Sequence, residues 1–420
     1  VKKKKQGIFG STEWTLSNGM KVIIKQTDFK KDQILMGAIS EGGKSLLDEK
    51  DVPTLLVINN LMTIGGMGNF SNTDLKKVLA GKKASVKPEM SYTTETFSGS
   101  SSPADFETML QLTYLYMTSP RADNEAFEAY ISRGRNALKN AELNPNTTMS
   151  DSIISTLWNN HPRKKRMKLP MLDSINYSLA QQMYRERFMN NDLFTFVFVG
   201  NINPDSVQLL VEKYLGALPK VKGQETFRPV GILRAKGEKS NIFDRKIETP
   251  KTSAYVYYSG KCDYTLKNSI LMSILNQSLR IIYTEKVREE EGGTYGVKVS
   301  GSISRFVKPN FKLQISFDTN PEMVEKLMQI IYAEIDSIVA NGVREVDFLK
   351  VKEFMQKKIT ENKAENSYWL NALVRHSRMG LDFATDYETT LNAITIEDVR
   401  EFAKYIFGQK NRVEVIMNPE

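Results

Sequence analysis

The chain has 420 residues and a formal net charge of +9, with 40% hydrophobic, 25% charged and 10% aromatic residues. This composition is typical of a globular protein and excludes a disordered or fibrous chain, while the length predicts two or more domains. No run of about 18 apolar residues occurs, which excludes a membrane-spanning helix. The single cysteine, Cys262, excludes an internal disulfide and a cysteine-built zinc site.

The first elements along the chain favour strands followed by helices. The stretch WTLSNGMKVIIKQT, residues 14–27, predicts two strands joined by a hairpin turn at Ser17, Asn18 and Gly19. PTLLVINNLMTIGG at residues 53–66 and FETMLQLTYLYM at residues 106–117 have the apolar spacing of helices. Between them, SVKPEMSYTTETFSGS alternates polar and apolar residues, as a half-exposed strand does. An unfolded peptide could add to such a strand at a sheet edge.

The second half of the chain repeats the first. INYSLAQQMYRERFMNNDLFTFVFV from Ile175 and ITIEDVREFAKYIFGQKNRVEVIMN from Ile394 align without a gap, at an offset of 394 − 175 = 219. This alignment pairs Phe194 with Val413 and Phe196 with Val415. Both copies predict a helix, a polar turn and a strand. Sequence duplication on this scale predicts two similar structural units.

We therefore predict an α+β fold of two tandem homologous domains, residues 1–225 and 226–420. Each would be a largely antiparallel sheet with helices packed on one face. A polar, lysine-rich segment from Lys220 to about Glu238 would join them.

The stretch VREEEGGTYGV, residues 287–297, follows a predicted helix from about Leu266 to Glu291. A glycine pair after a helix is typical of a C-cap, and Arg288 in the last turn would interact favourably with the helix dipole. Tyr295 would then begin the next strand. The local sequence alone favours this structural role.

Together, the hairpin, the unit FVFVGNINPDSVQLLVEKYLGALP at residues 196–219, the duplication and VREEEGGTYGV resemble the M16 zinc peptidase family. That family includes pitrilysin, insulin-degrading enzyme and the mitochondrial processing peptidase. The resemblance covers essentially the whole chain and points to the C-terminal, non-catalytic half of a bacterial member. It implies a two-domain half that closes like a clamshell, with a catalytic half, around an unfolded peptide.

In the family, the catalytic half holds zinc through His-x-x-Glu-His on a helix, where both imidazoles lie on one face and the Glu activates water. The chain has two histidines, His161 and His376, and neither belongs to such a pair. In the corresponding helix, near residues 53–64, Leu56, Asn59 and Asn60 occupy the motif positions. We therefore expect no cofactor in this chain and a zinc ion in the catalytic half.

The resemblance gives Arg288 and Tyr295 a second role. In M16 enzymes the non-catalytic half supplies an Arg and, seven residues later, a Tyr, and 295 − 288 = 7 matches that spacing. The resemblance implies that both groups stabilise the charge that develops on the carbonyl oxygen during peptide hydrolysis.

These observations predict the non-catalytic half of a zinc-dependent endopeptidase, which lines the substrate chamber and is inactive alone. Its expected partners are a catalytic M16 half, in the same polypeptide or a separate subunit, and unfolded peptide, without nucleic acid. We expect a periplasmic or cell-envelope location. The alternative is a catalytically inactive peptide-binding or scaffold subunit. A third class, polyanion binding through the scattered basic runs, predicts affinity that falls steeply with salt.

Overall fold

Two compact units make up the protein in the computed structural model, which describes residues 1–189, 194–220, 226–248, 250–290, 294 and 296–420. Unit 1 consists of Val1–Leu138, Met167–Val230 and Thr360–Asp382, and unit 2 of Lys139–Arg166, Gly231–Ile359 and Phe383–Glu420. Each unit contains one β-sheet and its own buried apolar core. The predicted α+β fold class is confirmed.

Strands are numbered in chain order: β1 (Lys3–Gln6), β2 (Thr12–Thr15), β3 (Lys21–Gln26), β4 (Ile34–Glu41), β5 (Ala84–Met90), β6 (Thr94–Ser101), β7 (Thr195–Gly200), β8 (Glu238–Arg245), β9 (Thr252–Lys261), β10 (Lys298–Ser304), β11 (Asn310–Thr319) and β12 (Arg412–Pro419). Helices are numbered likewise: α1 (Val52–Leu61), α2 (Asn72–Val78), α3 (Phe106–Thr118), α4 (Asn124–Leu143), α5 (Pro145–Leu157), α6 (Tyr177–Phe188), α7 (Pro204–Tyr214), α8 (Leu266–Tyr283), α9 (Val324–Asn341), α10 (Glu345–Lys363), α11 (Asn366–Met379), α12 (Tyr387–Ala393) and α13 (Ile396–Phe407).

The predicted N-terminal hairpin joins β2 to β3. Thr12 pairs with Ile24 and Thr15 with Lys21 in an antiparallel register. Gly19 has a φ of 99°, which favours glycine in this turn. The buried Asn18 side chain donates hydrogen bonds to the carbonyl oxygens of Leu215 and Leu218, at 2.8 and 3.1 Å. These bonds fasten the turn to the segment that follows α7.

The two sheets share one topology, as expected for two duplicated units. The sheet of unit 1 has the order β1-β2-β3-β7-β4-β6-β5, and the sheet of unit 2 has the order β10-β11-β9-β12-β8. In each sheet, one parallel pair, β3 with β7 or β8 with β12, is followed by three antiparallel pairs on the side that ends at β5 or at β10. The β1–β2 hairpin is the addition that makes the first sheet larger.

The predicted repeat is accurate for its helix but wrong by one residue in its strand. Helices α6 and α13 both have 12 residues, and their starts differ by 396 − 177 = 219. However, Phe194 and Phe196 face the main helical core of unit 1, whereas Val413 and Val415 lie in a separate cluster on the other face of the second sheet. Because side chains alternate across a strand, a shift of one residue in the alignment reverses the faces.

Both sheets are covered on two faces, which the sequence did not predict. In unit 1, α1, α3 and α6 bury one face of the sheet, and α11 packs against β4 and β7 on the other. In unit 2, α8, α9 and α13 bury one face, and α5 packs against β8 and β12.

The structure divides the chain differently from the boundary predicted between residues 225 and 226, because the units are discontinuous in sequence. Lys139–Arg166, which contains α5, belongs to unit 2, and Thr360–Asp382, which contains α11, belongs to unit 1. The first positions of the two exchanged segments differ by 360 − 139 = 221, which is close to the repeat offset. The exchange of these two segments between the units therefore follows the same repeat as the rest of the chain. Within the described residues, none of the helices is long and apolar enough to cross a membrane.

Candidate functional site

Helix α1 carries the three residues at the positions of the family's zinc motif. Leu56 and Asn59 are half-buried and Asn60 is exposed. Asn59 bonds to the backbone of Met90 at the end of β5: its Nδ2 donates to the carbonyl oxygen at 3.2 Å, and its Oδ1 accepts from the N–H at 2.8 Å. The Asn60 Nδ2 donates to the hydroxyl of Tyr130 at 3.3 Å.

These residues do not fit a zinc ion. Leu56 has no ligating atom, and both polar atoms of the Asn59 amide are already hydrogen-bonded to Met90. In the described parts of the chain, no three His, Cys, Asp or Glu side chains are grouped so that they could hold a metal. His161 instead caps the short helical turn Pro162–Lys164, and the ring of His376 lies beside Phe9.

Asn59→Leu should lower the free energy of unfolding by about 1–3 kcal/mol, because it leaves two backbone groups of Met90 without their partner. Urea denaturation followed by circular dichroism measures this loss. Asn60→Leu is the matched control: the same change on an exposed position one residue later should alter stability by about 0.5 kcal/mol or less. Equal losses in the two variants would contradict a structural role for the Asn59 amide.

Arg288 lies in an unusual helical segment that continues from the C-terminal end of α8. The α-helical part of α8 ends at Tyr283 and continues as a π-helical segment over Thr284–Glu290. Val287 in this segment is fully buried in the core of unit 2, whereas Arg288 is exposed. The predicted helix from Leu266 to Glu291 thus agrees with the structure to its last residue but one. Gly292, Gly293 and Tyr295 lie outside the described residues.

Arg288 presents a positive charge to solvent. Among the described residues, none forms an ion pair or a side-chain hydrogen bond with its guanidinium group. The carboxylate of Glu285, one turn earlier, instead accepts from Arg344 at 2.6 Å, and this hydrogen bond holds the pKa of Glu285 below its usual value. Arg344 also donates to Asp347 at 2.5 Å. π-helical turns in α-helices are frequently found at functional sites.

The sequence did not reveal the Glu285–Arg344 pair, because its partners are far apart along the chain and lie on different elements. The helical pattern around Arg344 shows only that this residue precedes α10. In principle, the acidic start of α10 at Glu345 and Asp347 could have suggested a basic neighbour.

The family model for the peptidase M16 inactive domain matches residues 180–355. This confirms the predicted resemblance to the M16 family. The matched segment includes α8 and the positions of Arg288 and Tyr295. It does not include α1, where the zinc motif is degenerate.

Two curated relatives of this chain are described as zinc proteases. A zinc protease PQQL-like protein of Arabidopsis thaliana is 26% identical over 385 residues, which cover 87% of this chain and 37% of that protein. A probable zinc protease PqqL of Haemophilus influenzae is 23% identical over 366 residues, which cover 86% of this chain and 38% of that protein. The chain therefore spans less than half the length of these relatives.

Solved structures share the same fold along essentially the whole chain. The periplasmic protease PqqL from Escherichia coli has a TM-score of 0.87 at 20% identity, covering 100% of this chain and 46% of that one. A peptidase M16 inactive domain from Pseudomonas fluorescens has a TM-score of 0.81 at 18% identity, covering 98% and 99% of the two chains. At these identities the similarity establishes the fold.

Proposed function

We propose that this chain is the non-catalytic half of a zinc-dependent endopeptidase. It lines the substrate chamber and supplies Arg288 and Tyr295 to the transition state of peptide hydrolysis. The catalytic half, in the same polypeptide or a separate subunit, holds the zinc. The observation that carries this proposal is the match to the M16 inactive domain, which spans both residues in a chain whose α1 helix does not fit a metal.

The chemistry of the two groups suits this role. When water adds to a peptide carbonyl, negative charge develops on the carbonyl oxygen. A guanidinium group held at that oxygen stabilises the charge, and a phenol hydroxyl donates a hydrogen bond to it. The exposed Arg288, which is unpaired among the described residues, is available for such a contact. The neighbouring Val287 is fully buried, which restricts the movement of the backbone at Arg288.

Edge strands support the binding of unfolded peptides. Among the described strands, β5 pairs only with β6 and is the last strand of the first sheet, and β10 holds the same place in the second sheet. β10 begins at Lys298, three residues after Tyr295. Such an edge offers backbone N–H and C=O groups to an extended peptide of varied sequence. A peptide bound along β10 would therefore pair with a strand that begins close in sequence to the proposed catalytic groups.

Cleavage of an unstructured fluorogenic peptide tests the proposed function. The 420-residue chain alone should show no activity with added zinc, and its assembly with the catalytic half should cleave the peptide. A chelator should abolish that activity. If the catalytic half cleaves equally fast without this chain, the proposal fails, and a scaffold or peptide-binding subunit becomes the better description.

We also propose a periplasmic or cell-envelope location. The support is that the structurally similar PqqL of Escherichia coli is described as a periplasmic protease. Fractionation of cells that express the full-length protein tests this, since a cytoplasmic distribution would contradict it.

A further inference from the structure

A cleft of about 540 Å³ lies beside the C-terminal end of α8. Its lining residues come from α8, the π-helical segment and α10: Gln277, Arg280, Ile281, Thr284, Glu285 and Phe354. Ligand sites in proteins have volumes of roughly 300–1,000 Å³ and combine apolar walls with a few polar groups. Phe354 is 54% exposed, which is unusual for a large aromatic side chain, and with Ile281 it supplies the apolar wall.

The cleft contains an exposed positive charge on Arg280. Among the described residues, none forms an ion pair or a side-chain hydrogen bond with its guanidinium group. The acid in the cleft, Glu285, is already bonded to Arg344. The nearby Lys286 and Lys350 add positive charge around Glu285. A ligand with a carboxylate and a short aliphatic or aromatic body therefore complements the charge of Arg280 and the apolar wall of this cleft.

The cleft is also well placed relative to β10. The backbone N–H of Gly301 in β10 donates to Oδ1 of Asn276 at 3.1 Å, so this face of α8 lies against β10. Arg280 follows Asn276 by four residues, which places it one turn further along the same helix face. Arg288 lies eight residues beyond Arg280, which corresponds to at most roughly 12 Å along the axis, the length of eight residues of regular α-helix. An extended peptide covers that distance with about three or four residues.

We propose that this cleft is a substrate subsite for a peptide residue that bears a carboxylate, about three or four residues from the bond that is cleaved. Arg280 pairs with the carboxylate, and Phe354 and Ile281 cover the remainder of the residue. This inference rests on the proposed function, because it assumes that peptide binds to this chain. The carboxylate could belong to an Asp or Glu side chain or to the C-terminus of the peptide.

Binding of N-terminally labelled, unstructured decapeptides to the 420-residue chain, measured by fluorescence anisotropy, tests the proposal. An amidated peptide with one Glu should bind roughly tenfold more tightly than the same peptide with Gln. A Gln peptide with a free C-terminal carboxylate shows whether the terminus serves equally well. Arg280→Gln should abolish the preference for the carboxylate, and Phe354→Ala should weaken the binding of all the peptides.

Arg185→Gln is the matched control, because Arg185 is also an exposed helical arginine and lies in unit 1, far along the chain from α8. It should keep the tenfold preference. If the Glu and Gln peptides bind equally to the unaltered chain, the subsite proposal is wrong while the peptide-binding role stands. If none of the peptides binds, the proposed lining of a substrate chamber fails together with the subsite.

Discussion

Replacing Tyr295 with Phe, in an assembly of this chain with its catalytic half, is expected to lower kcat by about 10- to 1,000-fold. The change removes only the phenol hydroxyl, and with it the proposed hydrogen bond to the carbonyl oxygen in the transition state. Arg288→Gln should give a loss of similar size, because it removes the positive charge. KM should change little in both variants, since the charge on the oxygen develops only in the transition state.

Two controls separate this catalytic role from a structural one. Tyr405→Phe removes a hydroxyl from a 52% exposed tyrosine on α13 and should leave kcat unchanged. Arg288→Gln should also leave the urea midpoint unchanged, because the side chain is exposed and its guanidinium has no partner among the described residues. Equal rates for Tyr295→Phe and the unaltered assembly would leave Tyr295 as a residue near the start of β10 and remove it from the reaction.

The helices of this fold could be predicted from the sequence because their apolar spacing is strong. The predicted helix at residues 106–117 corresponds to α3, in which Phe106, Met109, Leu110 and Met117 are buried. The hairpin turn at Asn18 was equally clear, since its residue types match a tight turn. Local propensity and pattern decide such elements, so no knowledge of distant contacts is needed.

The strand faces and the exchanged helices could not be derived in the same way. In β7, every residue after Thr195 is buried, because helices cover both faces of the sheet. A continuous apolar run of this kind has no alternation from which to assign faces. That run, FVFV, was the available signal that a second layer covers the sheet. It does not show that α11, which comes much later in the chain, supplies this layer.

The candidate site, like the fold, could be predicted from the sequence only in part. The resemblance to M16 enzymes suggested the proposed role of Arg288, and the structure adds that its charge is exposed and unpaired among the described residues. The ion pair of Glu285 with Arg344 and the cleft around Arg280 both depend on contacts with residues that are distant along the chain. Spacing within a sequence carries no information about such pairs, so only the fold reveals the cleft.

A buried ion pair in unit 1 gives the largest expected effect on stability. The side chains of Arg187 and Glu95 are 5% and 0% exposed, and the Arg187 Nε donates to Oε1 of Glu95 at 2.6 Å. The same oxygen accepts from the backbone N–H of Gly43 at 2.9 Å, and Arg187 also donates to the carbonyl oxygen of Glu41 at 3.2 Å. The pair thus joins α6 to β6 and to the end of β4.

Arg187→Met is expected to lower the free energy of unfolding by about 3–5 kcal/mol, because it leaves the Glu95 carboxylate buried without its cation. The double variant Arg187→Met with Glu95→Gln should be more stable than the single one, since it carries no buried charge. Urea denaturation of the two variants and of Glu95→Gln alone completes a double-mutant cycle. Equal stability of the single and double variants would show that the unpaired charge is not the source of the loss.

The pH dependence of the Arg187→Met variant provides an independent check. Burial raises the pKa of Glu95 even in the presence of Arg187, whose hydrogen bond and charge act in the opposite direction. Removing Arg187 should therefore raise this pKa further. A carboxyl whose pKa is higher in the folded than in the unfolded state stabilises the fold at low pH, and this contribution is lost as the pH rises through the folded-state pKa. The loss of stability in Arg187→Met should thus be smaller at about pH 5 than at about pH 8.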